Sequence, residues 1–500
     1  MKPKPTSPRS HGYSTSDANP VRSNLVKPGR FGLMFPELAN VPWTTGNSAR
    51  DDEIALELGK SMHAPSRNAG VIAAGFTYFG QFVDHDITFD PTSLGENAVD
   101  IGDLVNFRSP ALDLDSLYGS GPRDQPFLYR RDSGGTAKQF LIGPVVQPGA
   151  TAPGGADAQV VALDGASYDL PRSCDGISER TAIVGDKRND ENLIVAQLHR
   201  TLLHFHNALC LDQPSAPFEQ IRKQVIHHYQ RIVLNEFLPA VAGQAAVDAA
   251  LQELRFYKIG PGQLATEPFI PLEFSGAAYR FGHSMVRSAY NFNKVFDAGT
   301  DFSLAFTFTG DGGFFGAPRY PTNWLLDWRQ FFPGLGTPPQ MAMSIDGSMS
   351  DKLLIGPDKI PLATLNLKRG ARHYKLPPGQ AVAARMGLPA LTPDQLMTGA
   401  GGDVIKRFDL TAYTPLWVYV LKEAEALTGG KHLGPLGGTI VAEVIVGLLR
   451  DDPESVLNAA TPELPSADGR FKIADLFNFV EGKKGQGNIP AAGVINPLGA

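Results

Sequence analysis

Residues 70–90 read GVIAAGFTYFGQFVDHDITFD, an apolar run that ends in a cluster of functional groups. The whole stretch is predicted as a helix. On it Gln81, Asp84 and His85 stand at i, i+3 and i+4 and share a face, while Asp86 is turned about 100° from His85. One short segment therefore aims two sets of polar groups in two directions. A lone histidine in an apolar helix is ordinarily a satisfied core residue. Here an amide, two carboxylates and an imidazole crowd a helix with few other polar groups, and that arrangement is costly unless each finds a partner.

Working outward, RSPALDLDSLYGSGPRD (108–124) alternates Ser109, Asp113 and Asp115 with apolar residues. Its hydroxyl, carboxylates and carbonyls suit a hard cation such as Ca²⁺, and Asp86 could add a third carboxylate; the spacing alone also fits a solvated turn. GDKRNDENLIVAQLHRTLLHFHN (185–207) opens with charges and continues as a helix predicted over about 190–209, with Arg188 and Glu191 placed to face one cavity. His199, His204 and His206 are spaced i, i+5, i+7, which does not bring them to one face, so they are read as structural. GAAYRFGHSMVRSAYNF (276–292) is predicted as a helix with His283 in its middle and Arg280 and Arg287 nearby. Such a histidine can serve as an axial metal ligand, with arginine meeting an anionic cofactor edge. PLATLNLKRGARHYKLPPG (361–379) sets Asn366 and Arg369 one helical step apart.

Further amphipathic patterns cover 217–245, 414–427 and 437–450. The best strand-like run is DFSLAFTF at 301–308. No repeat and no βαβ rhythm is evident, so a mainly α single large domain with long loops is predicted over 46–500. It is preceded by a Pro-, Ser- and Asn-rich extended arm over 1–45. The 53 glycines and 40 prolines exceed ordinary usage without reaching low complexity. Residues 143–171 read as a long irregular excursion between helices. HExxH and GxSxG are absent, and GDGGFFG (310–316) lacks the context of a phosphate loop.

A net charge of −6, from 45 basic and 51 acidic residues, argues against a partner held by phosphate contacts. Cys174 and Cys210 form no disulfide framework and no CxxC pair, which leaves the redox compartment and their own pairing open. The polar start MKPKPTSPRSHG offers no apolar leader core, so no Sec signal is read. A cytoplasmic location or leaderless export is expected, without a transmembrane segment.

Taken in order, GQFVDHDITF, LDLDSLYGS, GDKRNDE, YRFGHSMV, LNLKRGARHYKLP and HLGPLGGTIVAEVIVGLL resemble the animal-type haem peroxidases of the peroxidase–cyclooxygenase superfamily, particularly bacterial members. The resemblance runs from about residue 30 to 480. It implies haem b and Ca²⁺ as cofactors. The implied activity is reduction of hydrogen peroxide through a ferryl intermediate, with oxidation of bromide, iodide, thiocyanate or phenols. It casts His85 as the distal histidine, Gln81 as the distal glutamine and Arg188 as the catalytic arginine. His283 becomes the haem-iron ligand, its second nitrogen donating a hydrogen bond to Asn366, and Arg280 and Arg369 meet the haem propionates. Asp86, Ser109, the carbonyl of Ala111, Asp113 and Asp115 become calcium ligands, with Asp115 standing where mammalian members carry a hydroxyl residue. Asp84 and Glu191 occupy the positions that form haem esters in mammalian members. Asn192 stands where a methionine forms a sulfonium link, so that link is not expected, and efficient chloride oxidation is not expected with it.

Two other readings remain. A fatty-acid oxygenase of the same superfamily would place its radical tyrosine three residues before the proximal histidine, but that position is Arg280. Tyr279, one residue off, is expected to face about 100° away. A haem-free, calcium-stabilised adhesion module is the third reading.

Overall fold

Helices carry the architecture, as the periodicities predict. The computed structural model describes residues 29–64, 67–91, 104–131, 137–148, 153, 163–173, 180–355 and 358–499.

The deciding stretch is not helical from its start. Residues Ala69–Ala73 form a strand antiparallel to Met341–Met343, and the helix proper is Gly75–Ile87. In the strand Val71 is exposed while Ile72 and Ala73 are buried, before a run whose apolar residues wrap a helix. That helix is buried almost all round. Its Phe76 and Phe79 pack on Phe237, and Phe82 meets the edge of His199 at 6.1 Å between ring centroids. His199 belongs to the neighbouring helix Leu193–Asp212, which begins where Asn192 Oδ1 accepts the N–H groups of Ile194 and Val195.

The 217–245 pattern is one long helical rod with a defect. Phe218–Ile232 runs into a π-helical turn, Val233–Phe237, and resumes as Leu238–Ala242. Pro239 has no N–H to return to the carbonyl four residues earlier, so the ladder widens just before it. The 414–427 and 437–450 patterns become Leu416–Thr428 and Pro435–Asp451. They are tied together by Glu423, whose carboxylate accepts the N–H groups of Leu436 (3.0 Å) and Gly437 (3.1 Å) at the start of the second helix.

Two sequence expectations are corrected. The 276–292 segment is no continuous helix: after a short helix Leu272–Ser275 it comprises a 3₁₀ turn Ala278–Phe281, a four-residue helix Gly282–Met285 and a short strand Ala289–Tyr290. Arg67 ends the helical part from outside by donating to the carbonyls of Ser284 and Val286. The alternating 301–308 run is mostly a 3₁₀ helix, Phe302–Phe306, because Asp301 Oδ1 caps Ser303 N–H at 2.8 Å.

Strands are short. Gly29–Gly32 lies between Val105–Asn106, antiparallel, and Ile270–Pro271, parallel. Immediately after it, the N–H groups of Met34 and Phe35 bond the buried carboxylate of Glu273 at 2.9 and 3.0 Å. Within the expected arm, Phe31, Met34, Phe35 and Trp43 are therefore core residues, and 1–28 lies outside the described residues. Of the 143–171 excursion, Gly143 pairs with Asp169 and Val146 with Pro321, and 149–152 and 154–162 lie outside the described residues. Cys174 is likewise outside them, whereas Cys210 is buried against His206. Among the described residues no helix is long and apolar enough to cross a membrane.

Helix Ser48–Met62 lies directly on helix Leu362–Arg372, which carries Asn366. A Cβ on Gly59 would stand 2.7 Å from the backbone nitrogen of Thr364, so glycine sets the approach. Gly59→Val should push the pair apart and lower stability by about 1–3 kcal/mol, read as a fall in Tm.

Candidate active site

A cavity of about 420 Å³ opens between the Gly75–Ile87 helix and the 275–286 segment. Gln81, Asp84 and His85 all line it, as do Glu191, Asn192, Tyr279, Arg280 and His283. Most of the remaining wall is apolar, including Phe76, Phe281, Met285, Val286, Phe302 and Leu362. Asp86, one residue beyond His85, is fully buried and turned away toward Asp113 and Asp115.

His85 Nδ1 lies 2.9 Å from Asn189 Oδ1, and Asn189 Nδ2 lies 2.9 Å from His199 Nδ1. Nε2 of His85 is 3.7 Å from Glu191 Oε1. Burial, and then the positive charge of Arg188, hold the His85 imidazole down to about 3, so the ring is neutral at pH 7. Burial alone brings His199 to about 3. Gln81 Nε2 donates to Glu191 Oε1, and Gln81 Oε1 accepts from Asn192 Nδ2 at 3.2 Å. Burial pushes the Glu191 carboxyl up to about 7 against the pull of Arg188. Asp84 is also raised by burial, and it accepts the Thr88 hydroxyl at 2.9 Å.

Arg188 is not among the cavity-lining residues. Its guanidinium donates to the carbonyls of His85 (3.0 Å) and Thr88 (2.6 Å) at the end of the cavity helix, pairs with Asp186 at 2.7 Å, and stacks over Phe89. Those carbonyls have no partner within their own helix, and a cation is the favourable cap. Although burial alone would raise Asp186, Arg188 and Arg108 hold its carboxyl far below the ordinary range. The turn Lys187–Asp190 is anchored from its other end, where Arg172 pairs with Asp190 at 2.8 Å and with Asp169 at 2.9 Å.

On the other wall, burial and then Arg280 bring His283 down to about 3. Its Nδ1 is 2.8 Å from Asn366 Nδ2, while Asn366 Oδ1 accepts from Arg280 Nη1 at 2.8 Å. The polarity is the reverse of the expected one. The oxygen is taken by the arginine, so the amide N–H faces the ring. Arg280 also donates to the carbonyl of Ser275. Arg369 stands away from the cavity and pairs with Asp90 at 3.6 Å, and Asp90 in turn accepts the Tyr374 hydroxyl. Tyr279 does face the cavity, contrary to the helical expectation, because 278–281 is a 3₁₀ turn; its hydroxyl donates to Gly80 O at 3.2 Å. Sequence reasoning passed over Asn189 and Asp186, although both lie within the quoted GDKRNDE motif.

The second cluster is acidic. Carboxylate oxygens of Asp86, Asp113 and Asp115 lie within 4.8 Å of one another, and theirs is the one such group among the described residues. Burial, followed by Asp113 and Asp115, raises Asp86 well above the carboxylate range; burial raises Asp113 and brings Asp115 to about 7. Ser109 donates its hydroxyl to Asp113 and its N–H to Asp115. Ala111 is half-buried in the same loop. Arg108 approaches Asp115 at 3.3 Å. Three carboxylates so close together, Asp86 and Asp115 buried and Asp113 half-buried, carry negative charge that a hard dication would compensate.

The cavity suits a flat, largely apolar group with a metal at its centre, since two neutral imidazoles face it and much of the remaining wall is apolar. The description "animal haem peroxidase" belongs to the family model that matches residues 101–408. "Heme peroxidase 2" of Caenorhabditis elegans is 28% identical over 291 residues, covering 54% of this chain and 39% of that protein. The chain thus spans well under half the length of the curated relatives it matches. Among solved structures, peroxidase A from Dictyostelium discoideum superposes with a TM-score of 0.60 at 17% identity, covering 98% of both chains. Oryza sativa fatty acid alpha-dioxygenase with palmitic acid superposes with a TM-score of 0.56 at 12% identity, covering 92% of this chain and 80% of that one. Both superpositions share the mainly helical fold, and the family match spans the acidic loop, the Arg188 turn, His283 and Asn366: the chain belongs to the animal haem peroxidase family.

Proposed function

We propose that the chain, acting as one domain from Gly29 onward, is a haem-dependent peroxidase that reduces hydrogen peroxide and oxidises small donors such as bromide, iodide, thiocyanate or phenols. The observation that carries this reading is the cavity lined by His85 and His283, each neutral and each with its Nδ1 held by an asparagine amide. Haem b, when bound, supplies the redox-active iron at which peroxide is reduced and from which donors are oxidised.

His283 would hold the iron, and Arg280 would meet a propionate. His85, with Nδ1–H engaged on Asn189, turns an unprotonated Nε2 to the cavity. It takes a proton from the inner oxygen of peroxide and delivers it to the departing one. Arg188 acts from behind the helix end: its charge adds to burial in keeping His85 neutral and favours negative charge building on the departing oxygen. Gln81 and Asn192 form the polar side of the peroxide or halide pocket. Asp84 and Glu191 are the carboxyls available for ester links to haem methyl groups. Asp86, Asp113 and Asp115, with Ser109 and Ala111, would hold Ca²⁺ and fix the end of the cavity helix to its neighbouring loop.

A second reading has one observation in its favour. Tyr279 lines the cavity, although it stands four residues before His283, one residue off the position of such an oxygenase's radical tyrosine. Its hydroxyl is engaged by Gly80 O, which favours the peroxidase. Oxygen uptake with linoleate should stay at background without added peroxide, and vigorous uptake would reverse the preference.

The peroxidase reading sets three outcomes. His283→Ala should lose the Soret band after haem supplementation, whereas His85→Ala should keep it and react with peroxide at least about 100-fold more slowly in stopped flow; a Soret band absent from the wild-type chain as well would favour the adhesion module. With the His85 imidazole depressed below its ordinary value of 6.5, the base is lost only as pH falls toward about 3. The peroxide rate should therefore show no acid limb near pH 6.5. Chelation of Ca²⁺ should lower Tm by roughly 3 °C from a state held at a hundredfold excess over Kd, where binding stabilises by about 2.7 kcal/mol. Asp113→Asn should abolish that difference.

A further inference from the structure

Asn189 is fully buried between two histidine rings, 104 residues from one and 10 from the other. The two ends of a side-chain amide are not interchangeable: the oxygen accepts and the nitrogen donates. With Oδ1 at His85 and Nδ2 at His199, His85 must carry its proton on Nδ1 and His199 must leave its own Nδ1 bare. The reverse amide would turn N–H toward His85, drive the proton to Nε2, and leave a ring unable to take a proton from anything in the cavity.

What prevents the reversal is the fixing of every neighbour. His199 sits in the first half of the Leu193–Asp212 helix, 1% exposed, with Phe82 against its ring. The turn that carries Asn189 is pinned before it by the Asp186 cap on Arg188 N–H (2.9 Å). After it, Asp190 accepts from both Arg172 and Gly310 N–H. The backbone on either side of the amide is thus held by ionic and backbone contacts, and the amide's one remaining freedom is its flip, with His199 the partner at its nitrogen end.

We propose that Asn189 is a positioning residue for the reaction proposed above, holding His85 in the Nδ1–H tautomer, and that His199 sets the sense of its amide. The proposal rests on the peroxidase reading for its consequence, but its geometry concerns this chain alone. Removing the amide frees His85 to hold its proton on either nitrogen, and the fraction with Nε2 protonated cannot act as a base.

The tautomer is read directly by ¹⁵N NMR of the full-length, haem-free chain labelled at histidine, with the His85 signals assigned by their loss in His85→Gln. In the wild type Nδ1 should be pyrrole-type and Nε2 pyridine-type. Asn189→Ala should give a mixture, while Asn189→Asp, which still accepts from Nδ1–H, should restore the single form. In the haem-loaded chain, hydrogen cyanide must surrender a proton to His85 on binding. Its association should slow at least about tenfold in Asn189→Ala and recover in Asn189→Asp. A wild-type ring protonated on Nε2 overturns the proposal without any variant. So does an Asn189→Ala chain that keeps both the single tautomer and the wild-type cyanide rate. If Asn189→Ala does not fold, His199→Phe, which removes the acceptor but fills the space, should produce the same mixture; an unchanged tautomer there overturns the role given to His199. If the chain takes up no haem, the peroxidase reading fails while the nitrogen spectrum still decides the tautomer.

Discussion

Asp186 receives two arginines, Arg108 fully buried and Arg188 partly so, and much of the site hangs from that fact. Arg188 reaches it with Nε and Nη2, and Arg108 comes within 3.0 Å through Nε. Arg108 continues to Asp115 in the acidic cluster, and Arg188 continues to the open carbonyls of His85 and Thr88. The result is a ladder of alternating charge that runs from the acidic loop to the end of the cavity helix. Each rung is expensive in isolation and is acceptable only because the next one neutralises it. Loss of the Asp186 carboxylate would leave two guanidinium groups facing each other in the interior. The acidic cluster and the histidine cavity are thus successive ends of one electrostatic structure.

The legible parts of the sequence were those governed by local geometry. Spacing i, i+3, i+4 put Gln81, Asp84 and His85 on one face, and a 100° rotation sent Asp86 the other way; both are properties of a single helix and need no tertiary knowledge. The same logic misread 276–292, because Arg67, more than 200 residues away in sequence, ends the helix by taking its carbonyls. The consequence reached Tyr279, whose direction depends on a 3₁₀ turn that periodicity does not reveal. The 301–308 run alternates like a strand, but one aspartate cap and aromatic packing around Phe302 made it helical.

Polarity was harder to foresee than proximity. Asn366 and His283 are adjacent, but which end of the amide meets the ring is decided by Arg280, a third residue. Asn189 passed unnoticed for a related reason: an asparagine inside a charged turn carries no signal until both of its histidine partners are known. In both cases the decisive information is the direction of a hydrogen bond, which follows from what the remaining atom of the amide is already bound to.

The residues around the cavity come from positions 76 to 362, and the amide behind His283 is contributed by residue 366. A chain emerging in order from its N-terminus cannot assemble both walls until more than two-thirds of its length is available. Long-range closures of this kind are slow steps, because each must overcome the entropy of the intervening loop before contacts reward it. The Gly29–Gly32 strand makes the point again, since it waits for Ile270–Pro271 and Glu273 to seat it. Cofactor capture is therefore a late event in the life of the molecule, and a chain that binds its prosthetic group has by that act passed a test of nearly complete folding.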